Sequence, residues 1–146
     1  MIAIIDSGGA NIASVQFALE RLGAESVLTK DVKIIQSADK VLLPGVGAAP
    51  IAMQNLAEYG LIDCIRGLTQ PVMGICLGMQ LLFAVSPEGN TPLLGIFDAD
   101  CETFTPAQGR SVPHMGWNRL SKQQDHPLLA GVDEGAHVYF VHSYFA

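Results

Sequence analysis

The sequence predicts an α/β fold: a mostly parallel sheet flanked by helices, with antiparallel edge strands in the C-terminal half. Two observations carry the prediction. Short apolar β runs alternate with helical patterns through the first 85 residues, joined by short turns, which implies parallel pairing through right-handed crossovers. Hydrophobic residues make up 49% of the chain and charged residues 15%, the composition of a sheet buried on both faces. A surface meant for a partner, or a missing segment that covers part of the core, would give the same composition. At 146 residues one domain is expected, spanning 1–146 and incomplete at the C-terminus.

Residues 2–5 form the first expected strand, ending at the turn Asp6-Ser7-Gly8-Gly9. Asn11 is placed to cap a helix whose Ile12, Val15, Leu19 and Leu22 share one face before Gly23 closes it. Residues 26–29 read as a second strand and 41–43 as a third, ended by Pro44-Gly45. Pro50 suits the first turn of a helix carrying Ile51, Met53 and Leu56, and Leu61, Ile62 and Ile65 mark a further helical stretch. Residues 71–75 read as a buried strand, with a helix over 77–85 directly after it. Beyond the loop 86–90, residues 94–104 and 137–144 read as strands. Between them Pro106, Gly109, Pro113, Gly116 and Gly131 make a turn-rich stretch.

Several classes are disfavoured. A net charge of −6 argues against nucleic acid or an anionic membrane as the main partner. No apolar run approaches the roughly 20 residues of a membrane span. The start Met1-Ile2-Ala3-Ile4-Ile5-Asp6 has no basic region and meets an acid at once, unlike a secretory signal. Cys64, Cys76 and Cys101 are odd in number, with no Cys-x-x-Cys. That suits free thiols in a reducing, cytoplasmic setting, with no metal site and no cofactor expected.

The chemistry concentrates at Gly74-Ile75-Cys76-Leu77-Gly78. Strand, Gly-x-Cys-x-Gly, helix is the thiol form of a nucleophile elbow. Side chains at the flanking positions would crowd the turn against sheet and helix. A helix N-terminus favours the thiolate, and the Leu77 amide points where a tetrahedral oxyanion would form. The plain alternative is a small buried hydrophobe, a common fate of free cysteine. Pro44-Gly45-Val46-Gly47 also follows a strand, so it emerges at the same carboxyl edge, where open α/β sheets bind ligands. Its amides suit an oxyanion hole, or it is an ordinary strand-to-helix turn. Gly8-Gly9 lacks the spacing of a dinucleotide fingerprint.

Gly74-Ile-Cys-Leu-Gly-Met-Gln-Leu-Leu82, with Pro44-Gly45-Val46-Gly47, resembles the class I (triad) glutamine amidotransferases. Pro113-His114-Met115-Gly116-Trp117-Asn118 and Tyr139-Phe140-Val141-His142-Ser143-Tyr144 narrow the resemblance to the glutaminases of imidazole glycerol phosphate synthases. The resemblance implies hydrolysis of L-glutamine, with ammonia passing to a (β/α)8 cyclase partner in histidine biosynthesis. By position it makes Cys76 the catalytic nucleophile and the Gly47 and Leu77 amides the oxyanion donors. Gln80, Glu88, Tyr139 and Ser143 would line the glutamine site. His114, Trp117 and Asn118 would face the cyclase, although Trp117 could be a packing anchor, Tyr139 core, and Glu88 a solvated loop residue.

The family completes its triad with a His and a Glu in a His-Pro-Glu type motif. The one His-Pro here is His126-Pro127, followed by Leu128, and His114, His137 and His142 stand in other contexts. The expectation is therefore a truncated subunit, essentially inactive as given. Glutaminases serving anthranilate, aminodeoxychorismate or pyridoxal phosphate synthases are alternatives, as is a docking module without catalysis.

Overall fold

The computed structural model describes residues 1–9, 11–107 and 109–146. They divide into two compact units, Met1–Glu102 with Ala146, and Thr103–Phe145.

The first unit is built on four parallel strands, β1 (Ile2–Ile5), β2 (Ser26–Thr29), β3 (Lys40–Gly45) and β4 (Val72–Cys76), in the order β2-β1-β3-β4. Helices α1 (Ile12–Arg21), α2 (Val32–Ser37), α3 (Ala49–Glu58) and α4 (Ile62–Arg66) fill the crossovers, and α5 (Leu77–Gln80) follows β4 without a gap. The register places Ile2, Ser26 and Lys40 side by side and brings Gly45 beside Cys76.

The sheet's two faces differ. Ala3, Ile5, Val41 and Leu43 point into a core shared with Ile35, Leu56, Leu61 and Ile65, all fully or nearly fully buried. The alternate row, Leu28-Ile4-Leu42-Met73 across the strands, is closed only at Ile4; Leu28 and Met73 are exposed. Over the same stretch α1 buries none of its residues, and Phe17 and Leu22 stand in solvent. The strand expected to be buried at 71–75 is thus an edge strand, half open on one side. Of the apolar residues expected to define α3, only Leu56 is buried; Ala49 and Ala52 make the contact and Ile51 is exposed.

Local chemistry explains the remaining departures. Asn11 holds the cap position of α1 without a side-chain bond. The unanticipated α2 has a true cap, Asp31, whose carboxylate accepts the amides of Lys33 and Ile34. Strand β3 continues through Pro44 to Gly45 because proline's missing N–H lies on the side of its carbonyl, beyond the last β1 pairing at Leu42.

Helix α5 stops after one turn instead of reaching residue 85. The carbonyls of Leu81, Leu82, Phe83 and Ala84 are taken by the amides of residues 93–97, so the helical ladder cannot continue. The same bonds hold 93–97 out of the long strand expected over 94–104. Within it only β7 (Glu102–Thr103) is a strand; ahead of it β5 (Val85–Ser86) and β6 (Thr91–Pro92) pair as a small antiparallel hairpin.

In the second unit β8 (His114–Arg119) pairs antiparallel with β9 (His137–His142), and β10 (Tyr144–Phe145) follows a break at Ser143. β8 lies where turns were expected; Gly116, at φ 137°, is accommodated inside the ladder opposite Phe140. The ribbon shows Met115, Trp117, Tyr139 and Val141 to solvent on one face. Its other face carries His114, Phe140 and His142, with Phe104 edge-on to His142 and stacked on Phe145 at 4.6 Å.

Gly78 is the tightest point of the first unit: a Cβ there would run into the carbonyl oxygen of Leu43. Gly78→Ala is expected to lower unfolding stability by about 3 kcal/mol or more, read by urea denaturation. Gly47→Ala, which meets no atom within 4 Å but holds φ at +87°, should cost only about 1 kcal/mol.

Candidate functional site: a cysteine elbow at the sheet's carboxyl edge

Cys76 ends β4 and is the cap residue of α5, with φ 56° and ψ −121°. A non-glycine residue there is strained by about 1–3 kcal/mol. The strain turns the side chain outward: Cys76 is exposed, while Cys64 and Cys101 are buried. The small-buried-hydrophobe alternative therefore does not describe Cys76.

Glycines on both sides make the elbow possible. A Cβ on Gly74 would lie 2.6 Å from the Met79 amide nitrogen, and one on Gly45 2.6 Å from that of Gly78. Backbone therefore packs on backbone, and Leu77, which follows Cys76, is itself buried. Because Gly45 pairs with Cys76, the turn 45–48 leaves the sheet beside the thiol, with Gly47 in a left-handed conformation. The one-turn length of α5 corrects the expected electrostatics: few peptide dipoles align behind Cys76, so the dipole contribution is small.

Gln80 lies one turn after Cys76 and is 6% exposed, and its Oε1 has no hydrogen-bond partner among the described residues. Leaving such a buried acceptor without a partner costs about 1–3 kcal/mol. Glu88, on a 3-10 turn (Glu88–Asn90), is half-buried rather than merely solvated, and its Oε2 accepts the Ala49 amide at 2.8 Å. This contact escaped the sequence reading; Ala48, a cap residue without a polar side chain, was its one signal.

The turn after β1 adds a second polar group. Buried Ser7 donates its hydroxyl to the Pro44 carbonyl at 3.1 Å, and Asn55 Nδ2 donates to the Ser7 carbonyl at 2.9 Å. Lys30 lies 3.7 Å from the Tyr59 ring centre and 3.5 Å from Asp6; its contact with Tyr59, then the charge of Asp6, raise its pKa.

The other sequence-predicted residues fall in the second unit. Tyr139 is exposed and meets Trp117 edge-on at 5.6 Å. Trp117 is 70% exposed, which rules out the packing-anchor reading. Ser143 accepts the Phe104 amide through its carbonyl, and Asn118 Oδ1 accepts the Arg119 amide. Nδ1 of His114 is 3.0 Å from Nε2 of His142, whose Nδ1 faces the Tyr144 carbonyl at 2.8 Å. A carbonyl can only accept, so His142 carries its proton on Nδ1 and, when neutral, accepts from His114. His126 turns inward on its own segment, with Nδ1 accepting the Leu128 amide.

A strained, outward-facing cysteine between a parallel strand and a helix, with a glycine turn from the neighbouring strand alongside, defines a cysteine nucleophile elbow on an open α/β sheet. The chain matches the family described as glutamine amidotransferase class-I over residues 3–146 and belongs to it. Within that class it is similar to the imidazole glycerol phosphate synthase subunit HisH of Xanthomonas axonopodis pv. citri, 52% identical over 145 residues that make up 99% of this chain and 72% of the relative. HisH of Xylella fastidiosa is 53% identical over 98% of this chain and 72% of the relative. HisH of Mannheimia succiniciproducens is 50% identical over 97% and 72%. A crystal structure of a glutamine amidotransferase, 21% identical, superposes with a TM-score of 0.71 over 98% of this chain and 71% of its own, which shows the shared fold.

Burial pushes the thiols of Cys64 and Cys101 up in pKa, with the Asp100 charge adding at Cys101. A thiol reagent at neutral pH is therefore expected to modify Cys76 rapidly and the other two only on unfolding, as peptide mapping would show. Cys76→Gly should stabilise the chain by about 1 kcal/mol through release of backbone strain. Equal or lower stability in denaturant would contradict the strained elbow.

Proposed function

We propose that this chain is the glutaminase subunit of an imidazole glycerol phosphate synthase. The observation that carries the chemistry is the exposed, strained Cys76 between two glycines whose Cβ atoms would clash. The similarity to HisH subunits supports the choice of synthase.

In this reading Cys76 gives up its thiol proton to water, which can return it to the departing nitrogen, and the thiolate Sγ attacks the side-chain carboxamide carbon of L-glutamine. A C–S bond forms, and the carbonyl oxygen becomes an oxyanion received by the Leu77 and Gly47 amides. Collapse of the tetrahedral species breaks the C–N bond, and the departing nitrogen takes a proton and leaves as ammonia. Water then cleaves the γ-glutamyl thioester, releasing glutamate and restoring the thiol. Gln80, one turn after Cys76, is the expected polar neighbour of the carboxamide, and the Glu88 carboxylate suits the substrate ammonium group. Tyr139 and Ser143 are proposed as substrate residues on the family resemblance alone.

The ammonia would pass to a (β/α)8 cyclase, with His114, Trp117 and Asn118 on the docking side. The exposed Trp117 and Met115 support that role. A cytoplasmic location agrees with three free cysteines, one of them exposed.

The four histidines of the sequence include none in a His-Pro-Glu context. General-base assistance in such a reaction is worth about 10²–10⁴-fold. One measurement tests the proposal. A glutamine-like electrophilic ketone should alkylate Cys76 saturably, with glutamine protecting; no reaction would favour a docking module.

A further inference from the structure

Glu88 is held with more care than a residue that only meets substrate requires. Its backbone amide donates to Ser86 Oγ at 3.2 Å, and its carbonyl accepts from Thr91 Oγ1 at 2.6 Å. Ser86 is fully buried and Thr91 8% exposed, so two interior hydroxyls are committed to fixing this one residue. Gly89, at φ +66°, brings the hairpin against α3: a Cβ there would sit 3.0 Å from Pro50 Cγ. The result is the 2.8 Å bond from the Ala49 amide to Glu88 Oε2. α3 begins at Ala49 with no polar cap of its own, so a carboxylate 39 residues away supplies the missing acceptor.

Ala49 closes the turn that contains Gly47, and the opening of that turn is tied down as well. Ser7 donates to the Pro44 carbonyl, and Asn55 of α3 donates to the Ser7 carbonyl. The Ser7–Pro44 and Ala49–Glu88 bonds bracket residues 45–48, where Gly45 packs on Gly78 while a Cβ at Gly47 would meet nothing within 4 Å.

We propose that Ser7 and Glu88 are positioning residues that clamp the two ends of the Pro44–Ala49 turn and set the direction of the Gly47 amide beside Cys76. The inference rests on the glutaminase reading for its chemistry, while the clamp itself is a property of the fold. Glu88 would then serve twice, with Oε2 on the turn and Oε1 toward the substrate ammonium group, so that occupancy of the glutamine site and the setting of the oxyanion turn share one carboxylate.

The two roles separate by substitution. In Glu88→Gln the amide oxygen can still accept from Ala49, but the charge is gone; Glu88→Ala loses both; Ser7→Ala loses only the clamp. Alkylation of Cys76 by a glutamine-like halomethyl ketone passes through a tetrahedral oxyanion, so its limiting rate reports the oxyanion turn and its half-saturation reports binding. Ser7→Ala is expected to lower the limiting rate about tenfold or more with half-saturation unchanged. Glu88→Gln should raise half-saturation and keep the limiting rate, and Glu88→Ala should change both. Amide hydrogen exchange at Ala49, followed on the same proteins, should accelerate in Glu88→Ala and stay near wild type in Glu88→Gln. Equal limiting rates in Glu88→Gln and Glu88→Ala, or unchanged Ala49 exchange in Glu88→Ala, would overturn the clamp. If the ketone fails to label Cys76 in the wild type, the glutaminase reading falls, and Ala49 exchange still decides the clamp.

Discussion

The backbone of α5 rests directly on the backbones of β3 and β4, and that approach depends on three absent side chains. Gly78 meets the Leu43 carbonyl, Gly74 meets Met79, and Gly45 meets the Gly78 amide. With no layer of side chains between helix and sheet, the chain must reverse within a single residue at the end of β4. Cys76 is that residue, and its left-handed backbone follows from the reversal. The exposure of the thiol, its place beside Gly45 and the burial of Leu77 all derive from this one contact. Strain at Cys76 persists because the packed glycines over-determine it.

The elbow was legible in the sequence because steric necessity leaves a spacing behind: only glycine fits at 74 and 78, and only a sharp turn needs both. The β1, β2 and β4 runs were legible through their apolar stretches between turn residues. Helix α2 was missed although Asp31 is a good cap, because its six residues bury only Ile35 and leave little periodicity to read. The length of α5 was beyond local reasoning. Residues 81–85 are as helix-compatible as those before them, and what stops the helix is competition from the amides of residues 93–97. The same distant bonds removed most of the strand expected over 94–104.

The site divides along a similar line. Residue types named the nucleophile and the glycine turn, since both have a backbone requirement that sequence records. Contacts made by side chains across the fold left fainter marks: a cap position filled by Ala48, and a serine after the first strand. Trp117 and Tyr139 stand apart in the sequence, and the register of β8 and β9 brings them together.

The sheet order carries one more consequence. Strands β2 and β3 lie on opposite sides of β1, so the crossovers diverge there, and in open parallel sheets that divergence leaves a cleft beyond the strand ends which ligands commonly occupy. Here the cleft is bridged from within: Ser7 reaches across from the end of β1 to the carbonyl of Pro44, with Asn55 behind it. Pro44, which has no amide to offer β1, makes room for that bridge. The open ground moves one strand along, to the seam between β3 and β4, where Gly45 and Cys76 lie side by side.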